Sequence, residues 1–201
     1  MKTDVVKIKS NGEGIEEALH QAEAVAEYKR LPKKSALHLR LLSEETVGLA
    51  RALTGLAEAD FWIEDEDGEF RIHLKTRANM NGELRKKLLS MSSSGKNAAA
   101  KGIMGKIRDL IERAMEPVDG SIDLFYPDGW VYTGADSDPA HITMAADCYW
   151  SLNQYRQSFE DRKDSSEEWD ELEKSLVAKL ADDVRVGIKD GNVEMIIYKK
   201  L

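Results

Sequence analysis

Two short turn sequences constrain this chain more than any other feature. Asp67-Gly68 and Asp190-Gly191 each separate two runs in which apolar and polar residues alternate, the pattern of a β-hairpin with a two-residue turn. The four strands predicted in this way are Phe61–Glu66, Phe70–Thr76, Asp183–Lys189 and Asn192–Lys199. Because the two strands of a hairpin are antiparallel, two hairpins exclude an all-parallel sheet.

Apolar residues that recur every three to four positions predict helices between these strands. The helices expected are Glu13–Tyr28, Lys34–Leu53, Asn81–Met91, Asn97–Met115, Asp138–Phe159 and Ser165–Ala181. Shorter strands are expected at Asp4–Lys9, Ile122–Tyr126 and Trp130–Tyr132, and residues 160–171 are expected to be a charged connection. Together these elements predict an α/β (α+β) fold, a two-layer sandwich in which helices cover one face of a mixed β-sheet.

Composition limits the class of protein. The 201 residues, of which 42% are hydrophobic, suffice for one sizeable core, so a single domain is expected. A net charge of −8 opposes binding to nucleic acid. The single cysteine, Cys148, excludes an internal disulfide. With neither a signal peptide nor an apolar run of membrane-spanning length, we expect a soluble cytoplasmic protein without membrane or nucleic acid partners.

The segment Ser92–Ile107, SSSGKNAAAKGIMGKI, passes from a polar run into a helix that contains Gly102 and Gly105. Small residues at a helix entrance leave backbone N–H groups free to bind an anion such as phosphate. The alternative is a flexible loop followed by a core helix whose glycines allow close packing, and the local sequence alone favours it. Gly95-Lys96 is not a P-loop, because that motif needs a glycine where Ser90 stands and Ser or Thr where Asn97 stands.

The histidines show no metal-ligand spacing, and the acidic run Glu64–Asp67 is expected to be a solvated hairpin tip. His73 is expected on the outward face of a strand, at the surface or half-buried. Cys148 is expected to pack within a helix.

A carboxylate in the second helix could act in catalysis. Glu44, Gly48 and Ala52 are spaced by four residues and therefore share one helix face. If that face lines a pocket, Glu44 could serve as a general base. The alternative is that Glu44 and Glu45 are an ordinary solvent-facing pair, which the spacing alone favours.

These stretches together resemble a known superfamily. The helix sequence LRLLSEETVGLARALTG resembles the N-box helix of the histidine-kinase-like ATPases, which include DNA gyrase, sensor kinases and MutL. The hairpin DFWIEDEDGEFRIHLKT follows at the right place, KGIMGKIRDLIE resembles the second glycine box, and RVGIKDGNVEMIIYKK resembles the last strands. The similarity is greatest to the anti-sigma-factor serine kinases. It covers residues 1–126 and 183–201 of one Bergerat-like domain, with residues 130–180 as a helical insertion.

The resemblance implies ATP or ADP as the ligand and a transcription regulator as the protein partner. Glu44 matches the catalytic acid of the N-box, Gly48 stands where the family has its magnesium-binding Asn, and Thr76 stands where an Asp accepts from adenine. Magnesium is therefore in doubt. The nucleotide-binding residues that the resemblance implies are Gly48, Thr76, Ser94, Gly95, Lys96, Asn97, Gly102 and Gly105.

Two functions follow from the resemblance. One is an active ATP-binding serine kinase of the anti-sigma-factor type, with Ser92–Lys106 as its lid. The other is a degenerate regulatory protein with weak or lost ATP binding that keeps the fold as an interaction module. Gly48 and Thr76 favour the second, because neither offers the side chain that the family uses.

Overall fold

The computed structural model describes residues 1–53, 58–77, 130–131, 148–162, 175–189 and 192–201. The helices are α1 (Ile15–Tyr28), α2 (Lys33–Leu53), α3 (Leu152–Arg162) and α4 (Leu176–Leu180). The strands are β1 (Val6–Ile8), β2 (Ala59–Glu66), β3 (Glu69–Arg77), β4 (Trp130–Val131), β5 (Cys148–Ser151), β6 (Asp183–Lys189) and β7 (Asn192–Lys200).

The strands form one sheet in the order β1-β2-β3-β7-β6-β5-β4. Strand β7 comes last in the chain but pairs with β3, so it joins the N-terminal and C-terminal halves at the centre of the sheet. A mixed sheet was expected, yet each of the six pairings among the described strands is antiparallel.

Both predicted hairpins are present. Strand β6 has the predicted bounds, and the other three strands are slightly longer than expected. Asp67 and Gly68 have φ values of 51° and 86°, so both lie in the left-handed region that a tight type I′ turn requires. In the second hairpin Lys189 pairs with Asn192, the register expected for a two-residue turn. Asp190 and Gly191 themselves lie outside the described residues.

Helices α1 and α2 pack on one face of the sheet. The side of α1 that faces the core carries small buried residues, among them Ala18, Ala22 and Ala26, which let the helix lie close to its neighbours. The sheet contributes six of the largest fully buried side chains, which are Ile8, Phe61, Ile63, Phe70, Ile72 and Leu74. The predicted two-layer α/β sandwich is confirmed. None of the described helices is both long enough and apolar enough to cross a membrane.

Two helix predictions in the C-terminal half are wrong. Cys148–Ser151, expected within a helix, is strand β5, because these residues pair with β6. Helix α3 begins only at Leu152 and continues through residues 160–162, which were expected to be a connection. Ser175 has an extended backbone and caps α4, so no single helix runs from residue 165 to 181. The elements predicted at 81–91, 97–115, 122–126 and 138–147 lie outside the described residues.

Candidate functional site

Glu44 and Gly48 lie one turn apart on α2, and both are exposed. The buried residues of this helix, such as Leu39, Leu42 and Thr46, lie on its opposite side. A Cβ atom built on Gly48 would meet nothing within 4 Å. Among the residues that the structure describes, the space beside Gly48 is therefore open.

Glu45, not Glu44, is the half-buried acid of this pair. Burial raises the pKa of Glu45, and the negative charge of Glu44 raises it further. The sequence pointed to Glu44 through its spacing from Gly48 and Ala52 and through the resemblance to the N-box. The helical period could have identified Glu45, since it lies nearer the edge of the apolar stripe.

Thr76 lies on the opposite side of α2 from Glu44. It points from β3 toward the helix layer, is buried, and its hydroxyl donates to the backbone carbonyl of Glu58 at 3.0 Å. Its oxygen can still accept one hydrogen bond. The structure thus places Thr76 in the interior and Glu44 with Gly48 on an exposed helix face, rather than on one shared surface. Ser94, Gly95, Lys96, Asn97, Gly102 and Gly105 lie outside the described residues.

A second group of polar side chains lies on the other face of the sheet. His73 stacks on Trp62, with ring centroids 4.6 Å apart and planes inclined by 10°. Its Nε2 lies 3.5 Å from Oε2 of Glu64, and its Nδ1 lies 3.8 Å from Oε1 of Glu194. Three adjacent strands, β2, β3 and β7, therefore place an imidazole between two carboxylates.

His73 points away from the helices, as its alternation with Ile72 and Leu74 predicted, but the expectation of a surface or half-buried residue is wrong. Its exposed fraction is 6%. Lys2 approaches Trp62 with its ammonium 5.0 Å from the ring and pairs with Glu64 at 2.9 Å. Among the described residues no three His, Cys, Asp or Glu side chains are placed to bind a metal ion.

Glu64 is held in its charged form. Burial acts to raise its pKa, but the hydrogen bonds from Lys2 and from the indole of Trp62, together with the nearby His73, leave the pKa below its usual value. Its neighbour Asp65 is buried, forms an ion pair with Lys29, and accepts from the backbone N–H of Gly68. The acidic run is therefore only partly a solvated hairpin tip.

A third polar group holds the start of α3. Oδ1 of Asp183 accepts from the Ser151 hydroxyl at 3.1 Å and from the backbone N–H of Asn153 and Val184. Its Oδ2 accepts from Arg185 at 2.9 Å. A buried carboxylate that accepts these four bonds has a structural role, because it caps a helix and ties β6 to β5.

Comparison of the sequence with models of known protein families and with curated proteins finds no match to either.

Proposed function

We propose that this chain is a non-catalytic, cytoplasmic regulatory protein of the histidine-kinase-like ATPase fold, with weak or lost ATP binding, that acts as a protein-interaction module. The proposal starts from the resemblance of α2, of the β2–β3 hairpin and of the β6–β7 hairpin to that superfamily. All three elements are formed, and they occur in the order on which the resemblance depends.

The observation that carries the proposal is the open space at Gly48. Magnesium prefers several well-placed oxygen ligands, and glycine has no side chain to offer one. A Cβ built there would meet nothing within 4 Å in the described part of the chain, so none of those residues occupies the position of the absent side chain. Phosphoryl transfer depends on a metal ion to neutralise the charge that develops on the phosphates. Loss of the metal ion therefore removes a main source of catalysis.

The surroundings of Glu44 support the same conclusion. A general base works best in a partly desolvated pocket. Glu44 is instead exposed and lies on the helix face directed away from the sheet. Thr76, which the resemblance places at the adenine contact, is a neutral acceptor, and it lies in the interior, away from the surface that carries Glu44 and Gly48.

The test is ATP turnover and ATP binding, each with and without magnesium, for the full chain and for Gly48→Asn, Gly48→Ala and Glu44→Ala. We expect no turnover in the wild type and no effect of magnesium on any binding. Gly48→Asn should gain magnesium-dependent binding. Gly48→Ala is the matched control, because it fills the same open space without an oxygen and should gain nothing.

The active serine kinase is the outcome that would overturn this proposal. Turnover by the wild type that Glu44→Ala abolishes would show that the chain is an enzyme. Equal responses of Gly48→Asn and Gly48→Ala to magnesium would show instead that this position is not a degenerate metal site.

A further inference from the structure

The corner between α1 and α2 carries an unusual concentration of positive charge. From Tyr28 to Ser43 the chain has five Lys or Arg residues and no Asp or Glu, although the protein as a whole has a net charge of −8. Four of the five lie within six positions, namely Lys29, Arg30, Lys33 and Lys34. We name the surface formed by residues 28–37 the basic corner.

Three of these cations have no counter-charge in the part of the chain that the structure describes. Lys29 pairs with Asp65, and Arg40, beyond the basic corner, pairs with Glu23. Among the residues that the structure describes, Arg30, Lys33 and Lys34 have no carboxylate within 4.0 Å, and all three are exposed. A group of like charges with no counter-charge attracts an anionic partner.

Two apolar side chains flank these cations. Tyr28 is 75% exposed and Leu37 is 53% exposed, whereas most large apolar side chains of the described residues are buried. Leu37 lies on the side of α2 opposite the buried Leu39 and Leu42. A surface with cations between a tyrosine and a leucine combines electrostatic attraction with apolar contact area.

The backbone of the basic corner is well fixed. Arg30 has a φ of 51°, and its N–H donates to the carbonyl of Glu27 at 2.9 Å. The N–H of Leu31 donates to the carbonyl of Ala26, also at 2.9 Å. These bonds end α1 and set the turn, so a partner would meet a preorganised surface and little ordering entropy would be lost on binding.

The placement of Lys33 and Lys34 is unfavourable for the isolated protein. Both begin α2, whose first turn contains no acidic residue. A cation at a helix N-terminus is repelled by the positive end of the helix dipole, and an acid there would be stabilising. Local stability therefore does not explain these two lysines, whereas binding to a negatively charged partner does.

We propose that the basic corner is a docking surface for an acidic segment of a partner protein. Carboxylates of that segment pair with Arg30, Lys33 and Lys34, and an apolar side chain of the segment packs against Tyr28 and Leu37. This inference does not depend on whether the chain binds ATP, so the two proposals can fail separately.

Charge distribution favours a short peptide segment over nucleic acid. The corner holds four positive charges and the whole chain carries −8, so the rest of the chain carries −12. A nucleic acid backbone extends far beyond one corner and would meet that negative surface. A peptide of a few acidic residues contacts only the corner, and Leu37 suits an apolar peptide side chain.

The experiment measures binding of a fluorescein-labelled peptide, four repeats of Glu-Asp-Leu, to the full chain at low ionic strength. A peptide with Gln and Asn in place of Glu and Asp is the uncharged control. We expect the acidic peptide to bind, the control peptide not to bind, and the affinity to fall as salt is added. Lys33→Glu should weaken binding about tenfold, and Leu37→Gln should weaken it severalfold.

Lys179→Glu is the matched control variant. It makes the same change of charge at an exposed lysine of α4, outside the corner, and should leave the affinity within about twofold of the wild type. Lys33→Glu should not reduce the melting temperature, because it places an acid at the N-terminus of a helix. Loss of binding in that variant therefore could not be attributed to unfolding.

Three results would overturn the proposal. One is that the acidic peptide does not bind to the wild type. Another is that Lys33→Glu and Lys179→Glu weaken the affinity for the acidic peptide equally. The third is that a single-stranded oligonucleotide or phosphatidylserine vesicles bind more tightly than the acidic peptide and that Lys33→Glu weakens this binding. The occupant would then be nucleic acid or a lipid surface.

Discussion

The imidazole of His73 lies flat on the indole of Trp62, and the two rings occupy directly paired positions of β3 and β2. The pair lies on the sheet face directed away from α1 and α2, yet both residues are buried. Among the described residues neither ring nitrogen of His73 has a hydrogen-bond partner, although Glu64 and Glu194 lie 3.5 and 3.8 Å away. Stacking is therefore expected to contribute more to stability than the ring nitrogens do.

His73→Phe tests this expectation, because phenylalanine keeps the stacked ring and removes the two nitrogens. We expect its free energy of unfolding to lie within about 1 kcal/mol of the wild type, since a polar group without a partner costs free energy to bury. His73→Ala removes the ring as well and should cost about 2 kcal/mol. Urea denaturation measures both. If phenylalanine destabilises as much as alanine, the contacts with the two carboxylates matter more than stacking.

Glu45→Gln should stabilise the protein at neutral pH. The pKa of Glu45 is raised in the folded chain, first by burial and then by Glu44, so the folded chain binds this proton more tightly than the unfolded chain. The contribution of protonated Glu45 to the free energy of unfolding is therefore fully present below about pH 4. It is lost as the pH rises through the pKa of Glu45 in the folded chain. Melting temperatures should show a gain for Glu45→Gln at pH 7 that disappears in acid.

Glu44→Gln is the control for that measurement. It removes only the repulsion on Glu45, so it should raise the melting temperature at pH 7 by a smaller amount. A lower melting temperature for Glu45→Gln at pH 7 would contradict the proposed cause of the pKa shift.

Gly14→Ala should destabilise the protein strongly. Gly14 has a φ of 87°, and a Cβ built on it would lie 2.0 Å from the carbonyl oxygen of Lys7. Because that neighbour is backbone, β1 or α1 would have to move, at a cost of about 3 kcal/mol or more.

Gly12→Ala is the matched control: its φ is 91°, but its nearest contact is the end of Ile15 at 3.7 Å. It should cost only about 1 kcal/mol in thermal denaturation. Equal losses of stability in the two variants would mean that the positive φ, and not crowding against Lys7, determines the cost of both substitutions.

Asp183→Ala should destabilise the protein by about 3 kcal/mol, because it leaves the Ser151 hydroxyl, two backbone N–H groups and Arg185 without this acceptor. Asp182→Ala is the comparison. Asp182 is exposed and accepts from Lys199 and from the backbone of Lys200, so its loss should cost less than about 1 kcal/mol. Circular dichroism during denaturation measures both. Similar losses for the two variants would contradict the role assigned to Asp183 as the cap of α3.

The elements that the sequence predicted well depend on contacts between residues close in the chain. Asp67-Gly68 suits the two positive φ values of its turn, so the first hairpin was predictable from two residues and the alternation beside them. Helices α1 and α2 were predictable from apolar stripes and from Pro32 between them, since a helix face repeats every few residues.

What the tertiary structure decided depends on residues far apart in the chain. Cys148–Ser151 is a strand because β6, more than thirty residues later, supplies its hydrogen bonds. Alternation placed His73 on the correct face, but only the packed fold buries it. The resemblance implies that Glu44 and Thr76 serve one nucleotide site, yet the two residues lie on opposite sides of α2. A local pattern specifies a residue's conformation and the face on which it lies; burial, partners and pKa depend on what the whole chain places against that face.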